Sequence, residues 1–444
     1  MLERAVLVRD QELVRDEVRM TGRDRHCEEL LLAIQSGASR CGVIGLGFIG
    51  SVLMNGLIEA GFEARGFDRS PAAVGRFARS RAAREGHAPT PCRCDADSDV
   101  IAGCDVIFVA VRNFVEDHRV NEEPLLAARD VIRRQRSHPC LVILESTVAP
   151  GTTRRFAQDL GLGRDDDIFV AHSPERLSAG EDHEALRAMP HLVAGIDAQS
   201  TRLAAAMIGR LCDRVVPVSS PEVSELSKLL ENAFLSVNIG LTAEMTRIAL
   251  GLGVRAQEVC RAAATKTRGF VAFHPGAGLG GHCLPNDLAL LAHSARAQGW
   301  EPDLLAGAMA ANEAAPGIVV ARLERDLSAM DIPLQDAAVL IVGVGFKPGS
   351  PDTTQSPAIE IVRDLRRRNA DVSYVDALNA GFAVDGTEVR SVAPEALSGR
   401  RFAAAVVVSG EQRLDPEALL AACSCVLDAG GFRLSRPAPG IRTL

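Results

Sequence analysis

Along most of the chain, short apolar runs alternate with stretches in which apolar residues return every three or four positions. The runs at 41–45, 63–67, 105–111, 140–145, 168–171, 192–195 and 214–218 have the length of buried strands, and the periodic stretches between them read as helices. Strands buried on both faces and separated by helices predict a mostly parallel, doubly wound α/β sheet. The rhythm changes after Pro217. From Glu222 to about Gly251, the chain, with SELSKLLENAFLSVNIGLTAEMTRIALG at 224–251, keeps helical spacing without a proline, which predicts one long helix. Further helical segments follow to about residue 330, and strand–helix alternation resumes near Ala338 with AAVLIVGVGF.

The two alternating halves echo each other. RCGVIGLGFIG…FEARGFD and AVLIVGVGF…DVSYVDA each give strand, glycine turn, helix and a strand ending in Asp. The predicted architecture is therefore α/β: two Rossmann-like doubly wound domains, 39–217 and 331–444, joined by a helical middle domain, 218–330, with a long central helix. Ser36-Gly37-Ala38-Ser39 separates these from a polar helical extension at 1–38.

Composition narrows the class. A chain of 444 residues with 47% hydrophobic and 24% charged residues suits a globular protein of two or three domains, and a net charge of −8 argues against nucleic acid as a partner. The N-terminal MLERAVLVRDQELVRDEVRM lacks the apolar core of a signal peptide, and no run approaches the roughly 20 apolar residues of a membrane span. The expectation is a cytoplasmic protein without a membrane partner, its eleven cysteines reduced. Cys92-x-Cys94 and Cys423-x-Cys425 are too tight for the usual zinc pairs and lack second pairs, so no metal is expected.

Chemistry enters at Gly45-Leu46-Gly47-Phe48-Ile49-Gly50, which follows an apolar strand and opens the helix SVLMNGLIEAG; a second strand ends at Asp68, 18 residues beyond Gly50. In that context the glycines admit a pyrophosphate at the helix N-terminus and the acid receives ribose hydroxyls. Asp68 would repel a 2′-phosphate and Arg69 would attract one; NAD is the expected cofactor. Three other stretches carry reactive groups. SPERLSAGE presents Glu175 on a loop, and ESTVAPGTTR ends a buried strand at Ser146-Thr147. Lys228 and Asn232, four apart on the long helix, share a face, and leucines 226, 229, 230 and 235 predict a semi-buried polar patch around them. GAGLGGHCLPND sets Cys283 four residues before Asp287. By itself Cys283 reads equally as a buried small side chain or a nucleophile.

Taken in order behind the dinucleotide turn, HSPER, ELSKLLENAF, GLGGHCLPND and VGFKPGSPDTTQSPA resemble the nucleotide-sugar 6-dehydrogenases: UDP-glucose, GDP-mannose and UDP-N-acetylhexosamine dehydrogenases. The resemblance covers about residues 40–435. It implies a four-electron oxidation of the sugar C6 alcohol to a carboxylate using two NAD. Cys283 then matches the nucleophile that captures the aldehyde as a thiohemiacetal and later carries a thioester. A thiol of pKa about 8.5 is a few per cent thiolate at neutral pH, so Lys228 would activate it and steady the oxyanions, with Asn232 as second donor. Thr147 and Asp287 match the pair that holds water and handles protons, and Glu175 matches an acid near the reacting carbon. Arg176 and Leu177 fall in the same substrate loop. Gly276, Gly278, Gly280 and Gly281 would let the backbone approach the sugar, and Phe346 and Lys347 match the motif at the nucleotide end. Arg268 matches a residue that reaches the partner subunit's site, implying a homodimer or higher homo-oligomer.

The chain departs from the family at Ala179, where a second acid is usual and Glu181 or Asp287 would have to serve. It departs again at Thr354, which stands at an arginine position, and at Asp428-Ala429-Gly430, where D-x-R is common and Arg433 could reach in only from elsewhere. His282 points to the N-acetylhexosamine branch, whereas Asn286 and LALLAHSARAQG lie nearer the glucose and mannose branch. UDP- or dTDP-glucose is the first expectation and UDP-N-acetylhexosamine the second. Two further readings remain: a two-electron hydroxyacid dehydrogenase, which would not need Cys283, and a nucleotide-sugar-binding protein without turnover.

Overall fold

The computed structural model describes residues 21–83, 92–116, 119–161, 167–177, 181–410, 414–430 and 440–444. The first sheet runs, in spatial order, through Val215–Pro217, His191–Gly195, Ile168–His172, Cys140–Leu144, Val106–Val109, Arg40–Ile44, Glu63–Phe67 and Cys92–Asp95. All neighbours are parallel except Ile168–His172 and His191–Gly195, which set Ala171 opposite Gly195 in antiparallel register. Side chains of Cys140–Leu144 and Ile168–His172 are buried on both faces, as continuous apolar runs require. The edge strand Cys92–Asp95 escaped prediction because CRCD alternates polar with half-buried residues and never forms an apolar run.

The expected polar extension is corrected over its described part. Helix Gly22–Ser36 packs against helix Ala198–Ile208 and buries Cys27, Leu30, Leu31 and Ile34 in the core of the first domain. Those four positions recur at i, i+3, i+4 and i+7, one helix face. Residues 1–20 lie outside the described residues.

The long helix runs Pro221–Leu252, capped by the Ser220 hydroxyl accepting from the Val223 N–H and ended by Gly253 at φ +73°. The leucine collar expected around Lys228 is not there: Leu229 is buried, whereas Leu226, Leu230 and Leu235 are exposed. Helix Asp303–Ser328 packs along it. A Cβ on Gly240 would come within 3.1 Å of the Ala308 carbonyl, so glycine sets that approach. Contrary to expectation, Asp303–Ser328 is long and apolar enough to cross a membrane by length and composition. In this fold Val319, Val320, Leu323 and Leu327 join the core of the C-terminal domain, and the Asn312 amide donates to the Ser236 carbonyl.

The second sheet is parallel throughout, in the order Arg390–Ser391, Asp371–Val375, Ala338–Val342, Phe402–Val407, Cys423–Asp428 and Ile441–Thr443. The protein is α/β, with two Rossmann-like sheets flanking a helical middle. The echo between its halves extends to single hydrogen bonds. Gly45 donates to the Phe67 carbonyl and Leu46 to Asp68 Oδ2 at 2.8 Å; Gly343 donates to the Val375 carbonyl and Val344 to Asp376 Oδ2 at 2.8 Å.

Candidate active site

Helix Phe48–Glu59 starts within the first glycine turn, and Gly47 offers no side-chain cap, so first-turn N–H groups stay available to an anion. A Cβ on Gly50 would lie 1.7 Å from the Gly45 carbonyl oxygen, whereas one on Gly47 would meet nothing within 4 Å. Gly50 thus closes the turn and Gly47 faces open space. Phe48 is exposed beside it, and Ile49 packs on the core. Asp68 accepts the Leu46 and Ser70 N–H groups, one on each oxygen, and its remaining lone pairs suit ribose hydroxyls. Arg69 pairs with Glu123 at 3.1 Å on the surface, which turns it away from a 2′-phosphate. These residues fit NAD.

Cys283 is the first residue of helix Cys283–Ala297 and is exposed. The helix dipole and the nearby charges of Lys228, Arg112 and Lys347 favour thiolate there. The surrounding protein and Asp287 outweigh them and push the thiol up, so the resting group is a thiol and Lys228 alone does not ionise it.

Asp287, one turn on, is buried and accepts the Asn232 amide at 2.5 Å. Burial outweighs that bond and the Lys228 charge, raising its pKa to about 6. Asn286 beside it ties three elements together. Its Oδ1 accepts the Val115 N–H at 2.8 Å, and its amide donates to the Asn113 carbonyl at 3.3 Å; Asn113 in turn donates to the Thr147 carbonyl at 3.2 Å. Asn113 escaped functional prediction, and from sequence Asn286 is expected only as a marker of the sugar branch, not as this tie. The legible signal was an asparagine in the first turn of a helix, where its side chain serves local contacts better than helix propensity. The Thr147 side chain is half-buried at the end of this chain of bonds.

Glu175 is buried, with Oε1 accepting the Arg176 and Leu177 N–H groups at 2.5 Å and Oε2 unpartnered. Burial raises its pKa, against the pull of those N–H groups and of Lys228; Glu181 pushes the same way as burial. Beside it, just past the end of strand Cys140–Leu144, Glu145 is 2% exposed with neither carboxylate oxygen partnered among the described residues, and burial, then the Glu175 charge, push its pKa well up. Lys228 is half-buried, makes no hydrogen bond or ion pair among the described residues, and acts on Glu175, Asp287 and Cys283. One turn before it, Glu225 accepts the Gly151 and Thr153 N–H groups and the Thr153 hydroxyl at 2.6–2.8 Å. That bond set docks helix Thr152–Leu160, and with it the Thr147 loop, onto the long helix.

Several residues expected at the substrate already have protein partners. Arg176 donates to both oxygens of Glu231 and to the Pro190 carbonyl, pinning the Glu175 loop to the long helix. Leu177 packs on the first domain's core. The glycines of the nucleophile loop are crowded by protein. A Cβ on Gly280 would come within 2.9 Å of Phe346, Gln355 and Pro357, one on Gly281 within 2.7 Å of the Phe346 ring, and one on Gly278 within 3.1 Å of the Asn312 carbonyl. They let the loop dock on the C-terminal domain and on helix Asp303–Ser328. Gly281 donates to the Thr354 carbonyl at 2.9 Å, so the residue at the arginine position acts through its backbone. Arg268 is exposed with no hydrogen bond or ion pair among the described residues. Ala179 and Arg433 lie outside them. A cavity of about 420 Å³ lined by Arg247, Arg322 and Arg325 opens further along the long helix. At 1.5 Å per residue it lies roughly 28 Å from Lys228, away from this chemistry.

Comparison with known proteins matches three domain models of the UDP-glucose/GDP-mannose dehydrogenase family in order: the NAD binding domain at 39–212, the central domain at 222–314 and the UDP binding domain at 340–419. The chain is 30% identical to a UDP-N-acetyl-D-glucosamine 6-dehydrogenase of Pseudomonas aeruginosa over 284 residues, 62% of this chain and 66% of that protein. It is 28% identical to a UDP-glucose 6-dehydrogenase of the same species over 82% of this chain and 84% of the relative. Its fold matches the solved structure of a UDP-D-ManNAc dehydrogenase from Pyrococcus horikoshii with a TM-score of 0.78 at 24% identity, covering 91% of this chain and 98% of that one.

Proposed function

The chain belongs to the UDP-glucose/GDP-mannose dehydrogenase family of NAD-dependent nucleotide-sugar dehydrogenases, and from that premise we propose that it oxidises the C6 alcohol of a nucleotide sugar to the carboxylate through a covalent bond to Cys283. The observation that carries this reading is the thiol at a helix N-terminus, one turn above a buried Asp287–Asn232 bond and near the Lys228 ammonium, which makes no ion pair among the described residues.

NAD, held by the 45–50 turn and Asp68, supplies the hydride acceptor for each of the two oxidations. Lys228 stabilises the alkoxide and each later oxyanion, with Asn232 as a neutral second donor. Cys283 adds across the aldehyde, sulfur to C6 and proton to oxygen, which keeps the intermediate bound as a thiohemiacetal. The second oxidation leaves a thioester. Water held by Thr147 attacks it while ionised Asp287 takes the water proton, and the Cys283 thiolate leaves and is reprotonated. Glu175, buried and with its pKa raised by that burial, stands as the acid beside the reacting carbon. Phe346 and Lys347 close the nucleotide side.

The sugar is read first as a UDP-N-acetylhexosamine, because the relative named above at 30% identity acts on one. UDP-glucose, the first expectation from sequence, is the second reading, favoured by the relative aligned over the larger share of both chains. Neither of the residues used to separate the branches is free to mark the sugar: His282 packs edge-on against Phe114 and Asn286 serves the clamp. Assaying NAD reduction with UDP-N-acetylglucosamine, UDP-N-acetylmannosamine, UDP-glucose, dTDP-glucose and GDP-mannose decides it. The highest kcat/KM should fall on a UDP-N-acetylhexosamine; a maximum on UDP-glucose would install the second reading, and binding of a nucleotide sugar without NAD reduction would favour the turnover-free one.

The working form is a homodimer or higher homo-oligomer in the cytoplasm. Leu226, Leu230, Leu241, Ile248 and Leu252 leave apolar surface exposed along the long helix, an arrangement suited to a second copy. Sedimentation measures the assembly.

A further inference from the structure

The loop that leaves strand Val106–Val109 is held between the dinucleotide turn and the nucleophile. On one side a Cβ on Gly45 would meet the Ala110 carbonyl at 2.6 Å, so Ala110 lies against the turn. On the other, Asn113 and Val115 are bonded to Asn286 in the first turn of the Cys283 helix, and the Phe114 ring stands edge-on to His282 at 6.3 Å. Arg112 sits between these two anchors. Its side chain is exposed and makes no hydrogen bond or ion pair among the described residues. A guanidinium that is tethered on both flanks by its neighbours yet spends none of its five donors is positioned for an anion that arrives or forms later.

We propose that Arg112 is a catalytic residue, a second cation that with Lys228 brackets the negative charge developing at Cys283, first on sulfur and then on the oxygen of the tetrahedral adduct at C6. This rests on the reading of Cys283 as nucleophile. Two cations from different elements, one on the loop of the first sheet and one on the long helix, act on the thiol against the buried Asp287 carboxylate beneath it. The Arg112 charge already lowers the proton affinity of both the Cys283 thiol and the His282 imidazole. The charged or titratable groups that face the thiol are Asp287 and His282 on its own helix segment, Lys228 on the long helix, Lys347 on the C-terminal domain and Arg112 itself.

The test reads sulfur before it reads turnover. The rate of iodoacetamide modification of Cys283, taken from pH 6 to 10 by mass spectrometry of its peptide in the cofactor-free protein, gives the thiol midpoint whether or not any sugar is oxidised. Arg112→Gln should raise that midpoint by about half to one unit and slow alkylation at pH 7.5 about fivefold, with Arg112→Lys largely restoring both. In turnover, Arg112→Gln should lower kcat about tenfold with KM for NAD unchanged. An unchanged alkylation midpoint overturns the proposal. So does a rise confined to KM for NAD, which would make Arg112 a cofactor-phosphate contact instead. Should Cys283→Ala keep forming acid, the nucleophile reading fails on its own, independently of the Arg112 midpoint.

Discussion

The two glycine turns use the same hydrogen bonds for different ends. At Gly45 the chain enters a helix three residues later, at Phe48, and the turn leaves the first N–H groups of that helix without a side-chain cap. At Gly343 the same bond to a strand-ending aspartate forms, but helix Pro357–Arg367 begins fourteen residues on. The intervening loop folds on itself, the Phe346 N–H donating to the Asp352 carbonyl, and presses the Phe346 Cβ against Gly280 and its ring against Gly281. One turn offers the cradle proposed for the NAD phosphates; the other carries a wedge against the Cys283 loop. The proposed chemistry lies where the wedge, the cradle and the long helix meet.

Breaking each turn at its tightest point should separate these roles. Gly50→Ala places a methyl on the Gly45 carbonyl, so NAD affinity should fall more than about 100-fold by calorimetry. Gly281→Ala, strained at φ +77° and crowded by the Phe346 ring, should leave NAD affinity within about twofold and lower kcat about 30-fold, because displacing the thiol by an ångström disrupts alignment. Equal losses of NAD binding in both variants would contradict the division.

The helix positioned by the wedge carries the next test. Asp287 has its pKa raised to about 6, so its protonated form favours the fold: that contribution is present below the unfolded pKa and is lost as pH rises through about 6. The cost of ionising it in place is on the order of 3 kcal/mol. Asp287→Asn should therefore melt higher than the parent at pH 7.5 and equal it near pH 4. In the parent, kcat should fall about tenfold per unit below pH 6; the variant should lack that limb.

The smallest effect compares the two aspartates. Asp68→Ala should raise KM for NAD about tenfold, whereas Asp376→Ala should cost about 1 kcal/mol of stability and leave KM for NAD unchanged, as urea unfolding and steady-state kinetics would read.

These contrasts also mark what a sequence reader could see. Both turns, the apolar strands and the uninterrupted long helix were legible because periodicity and glycine spacing are local. The side chains at 175, 228, 232, 283 and 287 are singled out by ordered motifs, and the fold places them near one another. The contacts of the glycine loop were not legible: Gly278, Gly280 and Gly281 look like Gly276 on paper, and only the positions of helix Asp303–Ser328 and Phe346 show that those three admit protein. Arg176 misled for a related reason, since its partner Glu231 lies 55 residues away. Helix Gly22–Ser36 was misjudged because four apolar positions among many charges make a thin stripe, and a thin stripe suffices when it meets helix Ala198–Ile208.

The central claim is that one thiol carries a sugar through two oxidations. The direct test is the ratio of NADH formed to sugar acid formed, measured with the best nucleotide sugar on the parent and on Cys283→Ala. The account predicts two NADH per acid for the parent and no acid from the variant; one NADH with free aldehyde from the parent, or acid from the variant, would contradict it.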